Sequence, residues 1–526
     1  MFSFHLDVRR GASPRALHCL ACALWLAACA SPEALSVPDA TNPGLPPPTP
    51  AAALLCDAEH ADCDLDPNNG CEADLRRSHA HCGACGQACA WGCTQGKCIA
   101  AEQVSVGAEH SCVLRQDGSV WCWGRNAFVP GVSFLKPLFG ILGDGGSQER
   151  FVPGPVRRSR DQEPLNDIQS ISAGYRHTCA LDRQGRAHCW GGNDVGQLGD
   201  GSQEDRFYAT PVSGETRDWM GQPLSRLPLV AVSCGQRHTC ALSTAGVLYC
   251  WGSNSAQQLG GRLLANGGPA FATVPNRLIP AFAGPPAGAA NVSVQAAANH
   301  TCAQLEDGTG FCWGANSHGQ TGGGLNYTSP RVIRGGLGQW NSPPLTDIDG
   351  LGVAALHSCL WQRSGRVRCW GSGVDGRAGN GVDLAVTPRP VDAGSPDIYR
   401  RVYTRTVGVL APDSDAPLLG VRQLARSLGY HSCAILDDGR AVCWGSNNFG
   451  QLGDGSETPR ARPVWVRGPD GADHLRGVVS LSLGVDHSCA VIDTGAVYCW
   501  GNNTGGQLGT GTAGGHANVP QRVAMP

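Results

Sequence analysis

One short unit recurs seven times from about residue 101 onward: His-Ser/Thr-Cys, nine residues, then Cys-Trp-Gly. Units of this kind cannot bury an apolar face alone, so they stack on one another, and the repeat governs every other reading of the chain. The first cysteines are Cys112, Cys179, Cys240, Cys302, Cys359, Cys433 and Cys489. The second follow ten positions later, at Cys122, Cys189, Cys250, Cys312, Cys369, Cys443 and Cys499. Successive second cysteines lie 56 to 74 residues apart, so connections vary while the marker does not.

The spacing reads as a hairpin. A glycine stands one residue past the midpoint of every cysteine pair, from Gly118 to Gly495. A three-residue hairpin loop needs its last residue in the left-handed region, which glycine enters without steric cost. With Gln116-Asp117-Gly118 as that loop, Leu114 faces Val120 and Cys112 faces Cys122. The cysteines then occupy a non-hydrogen-bonded pair, whose Cα separation of about 4.5 Å falls near the disulfide range. Seven cross-strand disulfides are expected.

In the same register His110 lies opposite Gly124, and the other marker histidines face the Gly of their own Trp-Gly. A side chain facing glycine has room to lie across the partner strand. Seven copies around a ring cannot serve one active site, so a buried structural role is expected for the histidines and an inter-blade packing role for the tryptophans. Residues beside the staple are apolar on both faces, as at Val113 and Leu114 or Ala434 and Ile435. Strands of that kind are covered on both sides, which blades packed around an axis provide. The fold expected is all-β: a seven-bladed propeller over 101–526.

Most units continue to an Asn and a Gly-Gln-Leu-Gly turn, as in Asn193 and Gly196-Gln197-Leu198-Gly199, and then to a Pro-rich strand such as Pro463-Val464. Read with His177-Thr178, Gly185 and Trp190-Gly191, this string resembles the regulator of chromosome condensation repeat. The likeness covers about residues 101–526, the cysteine pair being the departure. Units four and five drift, with Gly319-Gln320-Thr321-Gly322 and Gly376-Arg377-Ala378-Gly379. The strand Val519-Pro520-Gln521-Arg522-Val523 after the last unit is expected to complete the first blade and close the ring.

The N-terminal part points outside the cytoplasm. Arg9, Arg10 and Arg15 precede an apolar stretch from Ala16 to Ala28, the order of an export signal and too short for a comfortable membrane span. It ends on Leu26-Ala27-Ala28-Cys29, which resembles the lipobox of bacterial lipoproteins. That resemblance implies a signal peptide over 1–28, lipid on Cys29 and, with Ala30 following, an outer-membrane address. Residues 29–55 are rich in Pro and Ala, including Pro46-Pro47-Pro48, and read as a tether.

Residues 56–100 carry eight cysteines, from Cys56 to Cys98. So small a module needs disulfides outside the cell, yet Cys82-Gly83-Ala84-Cys85 beside His79 and His81 also has zinc spacing. Asp64 to Gly70 partly resembles a calcium loop, with the Gly one place late and Leu75 where a bidentate Glu belongs. The cysteine pattern around Cys71 and Cys82 is similar to small modules of myxobacterial surface proteins, which implies no activity.

Three functional classes follow. A surface scaffold would bind a protein or envelope partner through loops on one rim of a rigid frame. Its best candidate is the insertion between Asn126 and Ile141, with Phe128, Val129, Phe134, Leu135, Leu138 and Phe139. Longer connections around 261–290 and 392–420 are weaker ones. Extracellular members of the resembled family include an inhibitor of β-lactamases, which implies protein binding as a mode. The alternative is a propeller enzyme acting on glycan or peptide, but no nucleophile motif, isolated carboxylate pair or phosphate loop is present, and Asp144, Asp200 and Asp454 sit in ordinary Asp-Gly turns. Nucleotide exchange on a small GTPase, the family's eukaryotic role, ranks last for an exported chain. A net charge of −3 without a basic cluster argues against a nucleic-acid partner, and no cofactor or metal is called for.

Overall fold

The computed structural model describes residues 56–524 except 58, 62, 65–70, 79, 88, 90, 129–137, 162–163, 218–222, 226–227, 261–269, 278–290, 323–330, 334–342, 384–406 and 472. The expected signal, Cys29 and tether lie outside the described residues.

Seven antiparallel sheets follow one another along the chain, forming the expected seven-bladed propeller: residues 101–155, 168–211, 229–277, 291–332, 348–408, 421–465 and 478–522. Blade 2 shows the plan. Its strands Ile168–Ala173, His177–Asp182, Ala187–Gly191 and Arg206–Pro211 pair in sequence order. First strands of neighbouring blades pack together and so line the axis, while fourth strands form the outer edge. Blade 3 adds a hairpin, Glu215–Arg217 with Pro223–Ser225, outside its fourth strand.

The second and third strands of each blade carry the marker in the register set by its turn glycine. Cys112 pairs with Cys122, Leu114 with Val120 and His110 with Gly124. All seven marker pairs are joined across the two strands, with Cα atoms 4.0 to 4.1 Å apart. The sulfurs are buried between blades, and each disulfide belongs to the apolar seam against a neighbour.

Ring closure differs from the expectation. The C-terminal strand His516–Arg522 pairs with Val497–Asn502 of its own blade 7, and blade 1 takes its outer strand from Arg150–Pro155. Proline supplies the reason. It cannot donate to a ladder and is confined to edges; Pro153, Pro211, Pro463 and Pro520 sit in outermost strands, and Pro275 in the fourth strand of blade 3. Blades 7 and 1 close side by side: Ser480 and Ser482 hydroxyls accept the amides of Val104 and Val106 at 3.2 and 3.0 Å.

The Cys-rich module is stapled by Cys56–Cys71, Cys63–Cys85, Cys82–Cys93 and Cys89–Cys98. Trp91 seats it on the ring. The indole is buried in the seam of blades 7 and 1, and its Nε1 donates to the Gly495 carbonyl at 3.0 Å.

Candidate binding face

The recurring parts of the seven units are used up in joining blades. Each marker histidine reaches the Thr or Ser hydroxyl of the next blade's marker. The links run His110–Thr178, His177–Thr239, His238–Thr301, His300–Ser358, His357–Ser432, His431–Ser488 and His487–Ser111, at 2.7 to 3.0 Å. The last step returns to the first blade, so the circuit is closed. In five seams the hydroxyl also donates to a main-chain carbonyl of the preceding blade, at Gln507, Gln197, Gln258, Gln320 and Gln451. The same carbonyls accept the indoles of Trp123, Trp251, Trp313, Trp370 and Trp500. A hydroxyl spending its proton on a carbonyl must accept from the imidazole, which fixes the proton on Nε2.

Burial pushes these imidazoles far below their ordinary range, to about 4 for His110 and about 3 for His177, His238, His300, His431 and His487. The histidines are therefore neutral structural donors. The glycine opposite each has a different cause from the one expected. At φ +105° a Cβ on Gly124 would lie 2.6 Å from the Glu109 carbonyl, so backbone excludes it rather than the ring. The ring instead packs on the residue three before it, where a Cβ on Gly107 would meet His110 at 2.0 Å. The recurring Gly-x-x-His at Gly107, Gly174, Gly235 and Gly484 was the signal for this.

What varies lies between those fixed points, on one face. The residue before each histidine bonds by its carbonyl to the chain just after Trp-Gly: Arg125 N to Glu109 O, Gly192 N to Arg176 O, Asn502 N to Asp486 O, at 2.8 to 2.9 Å. First-to-second-strand turns and third-to-fourth-strand connections thus share a face. Connections there are uneven, longer in blade 1 (125–149) and blade 5 (372–406) than in blade 2 (192–205) or blade 6 (446–459).

The turn positions are as unlike as the connections. Blade 1 offers Glu109, held 3.3 Å from Arg125, which also approaches Glu149 at 3.4 Å. Blade 2 offers Tyr175 and Arg176, the guanidinium stacked 5.3 Å from the ring centroid. Arg237 pairs with Asp194, and Tyr430 lies under Arg377 at 4.5 Å. Burial, then the neighbouring Glu109, raises the Asp486 carboxyl, and burial raises the Tyr175 hydroxyl. At the turns themselves, Asp486 and Glu109 stand on blades 7 and 1, and Arg176 and Arg237 on blades 2 and 3. A shallow cleft between blades 1 and 2 is lined by Glu109, Arg125, Ile141, Tyr175 and Arg176. Here the Gln of the usual turn is replaced by Ile141, and among the described residues the Trp190 indole nitrogen has no hydrogen-bond partner.

The blade 1 insertion starts from this cleft. Ala127–Phe128 pairs with Leu138–Phe139, so the insertion leaves the rim as a two-stranded ribbon. Val129, Phe134 and Leu135 lie outside the described residues. Of the other long segments, 261–269, 278–290 and 384–406 lie outside the described residues, and the turn closed by the bridge Leu410–Pro417 falls between blades 5 and 6 at the opposite end.

Metal ligands are committed elsewhere. Cys82 and Cys85 are bonded to Cys93 and Cys63, and His81 Nδ1 accepts the Gly86 amide at 3.0 Å. His79 and residues 65–70 of the calcium-like stretch are outside the described residues.

Taken together, the architecture defines a disulfide-stapled repeat propeller whose uniform parts join blades and whose variable parts face one way. Family comparison gives it a place: the RCC1-like domain matches residues 83–411, and RCC1 repeats match 429–451, 478–507 and 494–526. The chain belongs to the RCC1-like propeller family. It is 28% identical over 417 residues to the ultraviolet-B receptor UVR8 of Arabidopsis thaliana, covering 78% of each. It is 27% identical over 409 residues to the E3 ubiquitin-protein ligase HERC2 of Mus musculus, but spans 8% of that protein's length. Among solved structures, human WBSCR16 superposes with a TM-score of 0.56 at 21% identity, covering 78% of this chain and 95% of that one. Prp20p of Saccharomyces cerevisiae gives 0.54 at 21%, covering 80% and 87%. These two share the fold.

Proposed function

We propose that this chain is an exported, envelope-anchored binding scaffold that holds a protein partner on the face bearing the first-to-second-strand turns. One observation carries the reading: seven copies of the marker are spent on seams, while unlike charges, aromatic residues and the two longest connections within blades emerge on that single face. A frame with identical joints and one heterogeneous rim suits recognition, because loops on a rigid support can differ without disturbing it. Lipid on Cys29 and the Cys-rich module would hold the ring off a bilayer, and an exported address accords with so many buried disulfides.

The test is capture from intact cell envelope with the full chain, with a chain in which 127–139 is replaced by a short turn, and with Arg176→Glu/Arg237→Glu. Loss of one discrete partner in either variant, with unchanged melting, supports the reading. An unchanged partner set in both moves recognition off this face, and hydrolysis of a glycan or peptide by the purified chain replaces the scaffold with an enzyme.

A further inference from the structure

Blade 6 is longer than its siblings by one residue at the axis. In the other blades the first paired residue of the first strand precedes the histidine by nine positions, as Val478 precedes His487 or Ile348 precedes His357. In blade 6 Val421 takes the equivalent place, paired with Leu436, but His431 follows ten positions later. The ladder runs as far as Leu424 and the Ala425 amide, which donates to Cys433. Beyond it the chain turns to its neighbours, Ser427 donating to Val353 of blade 5 and bridging Leu483 of blade 7. The extra residue between them is Arg426.

Its side chain does not stay with blade 6. Nη1 donates to the carbonyls of Cys234 and, at 3.1 Å, Ala296, and Nη2 donates to that of Ala173. These three residues end the first strands of blades 3, 4 and 2. None of those blades is a ring neighbour of blade 6, so the side chain crosses the axis to reach them. Among the described residues Arg426 forms no ion pair; its charge is met by main-chain oxygens alone. Three carbonyls from three blades converging on one charge form a cation site, and a planar guanidinium with several N–H donors suits such spread acceptors better than an ammonium does.

We propose that Arg426 is a built-in cation: it fills a carbonyl-lined cation site on the propeller axis, closing the axial channel beneath the candidate binding face and tying blade 6 to blades 2, 3 and 4. Nearest-neighbour seams hold each blade only to the next, as in other repeat arrays. Arg426 adds a tie across the ring. The single-residue insertion is what turns the side chain inward.

The experiment uses the full chain with Arg426→Ala, Arg426→Met and Arg426→Lys, reading thermal melting and alkylation of Cys234 resolved by peptide mass. Cys234 is a buried free thiol in the seam of blades 2 and 3, so its labelling reports loosening at the far end of the tie. Alanine and methionine are expected to lower melting by about 5 °C and to speed Cys234 labelling about tenfold. Lysine, keeping the charge, should fall between methionine and wild type. Guanidinium chloride far below denaturing concentration should slow labelling in the alanine variant, while equal sodium chloride should not. Wild-type labelling in the methionine variant, or equal effects of the two salts, overturns the cation site. If the alanine variant does not fold, a lysine variant indistinguishable from methionine overturns it as well.

Discussion

Acid should dismantle this ring at a pH most exported proteins tolerate, because seven buried imidazoles must stay neutral for the seams to hold. In the folded chain they take a proton only near pH 3 to 4 where a value is resolved, and His357 is likewise held well below its ordinary range. Desolvation dominates, and the charges facing them push the same way: Arg426 toward His177 and His238, Arg377 toward His357, and the histidines of adjacent blades. Unfolded, each titrates near pH 6.5. Between those values the unfolded chain binds more protons, so stability falls as pH falls through 6.5 and stops falling on this account below about pH 3. One unit below the unfolded value, each histidine costs about 1.4 kcal/mol, and seven cost on the order of 10 kcal/mol. That rivals the roughly 5 to 15 kcal/mol that typically holds a native protein together. Asp486, raised by burial, gains stability as it protonates and offsets a small part. Denaturant midpoints followed by tryptophan fluorescence should change little from pH 8 to 7, drop steeply from 6.5 to 5.5, and drop less steeply in His238→Gln. Equal midpoints at pH 7.5 and 5.5 would refute neutral, seam-forming histidines.

Two further outcomes follow from the staples and the module. Replacing Cys302 and Cys312 together by alanine releases a loop of ten residues and should cost about 3 kcal/mol by chain entropy, read as a lowered denaturant midpoint with blade 4 the first region to exchange amide hydrogen. Trp91→Ala removes both a buried indole and its bond to Gly495; trypsin should then cut the module from the propeller while the ring's melting changes little.

Much of this architecture could be read from residue spacing because the marker is local. A turn glycine, two cysteines ten apart and period-2 alternation set a hairpin's register without reference to anything distant, so Cys112 opposite Cys122 and His110 opposite Gly124 followed from counting. What the histidine does could not be counted, since Thr178 is 68 residues away and belongs to another blade. The owner of the C-terminal strand is hidden for a related reason. Val519 to Val523 resembles the outer strands of other units, and whether such a strand ends one blade or begins the next depends on packing, although Pro520 already argued for an outer edge. Arg426 does not stand out in the sequence because a one-residue lengthening looks like ordinary loop drift unless the distance from first strand to histidine is compared across all seven units.

The contrast between seam and rim bears on how such a ring can acquire a partner. Each seam spends a histidine and a hydroxyl on its neighbour, five of them add an indole that shares the hydroxyl's carbonyl, and the circuit has to close, so a change in any one blade is felt by two. The side chains at the two positions before each histidine stand outside that circuit, though Asn299 donates to Gln236 across one seam at 2.9 Å: they are Ala108-Glu109, Tyr175-Arg176, Gln236-Arg237, Ala298-Asn299, Ala355-Leu356, Gly429-Tyr430 and Val485-Asp486. Their carbonyls serve the fold whatever the side chain, because the bond to the chain after Trp-Gly is main-chain to main-chain. Side chains there are free to differ, and they differ in charge and in aromatic character from blade to blade. The seam between blades 1 and 2 goes one step further: among the described residues it lacks the Trp190 bond, and the phenylalanine-bearing insertion begins there. A repeat protein gains a unique site where its repeats stop being equivalent, and on this molecule that inequality is gathered on one face around a closed axis.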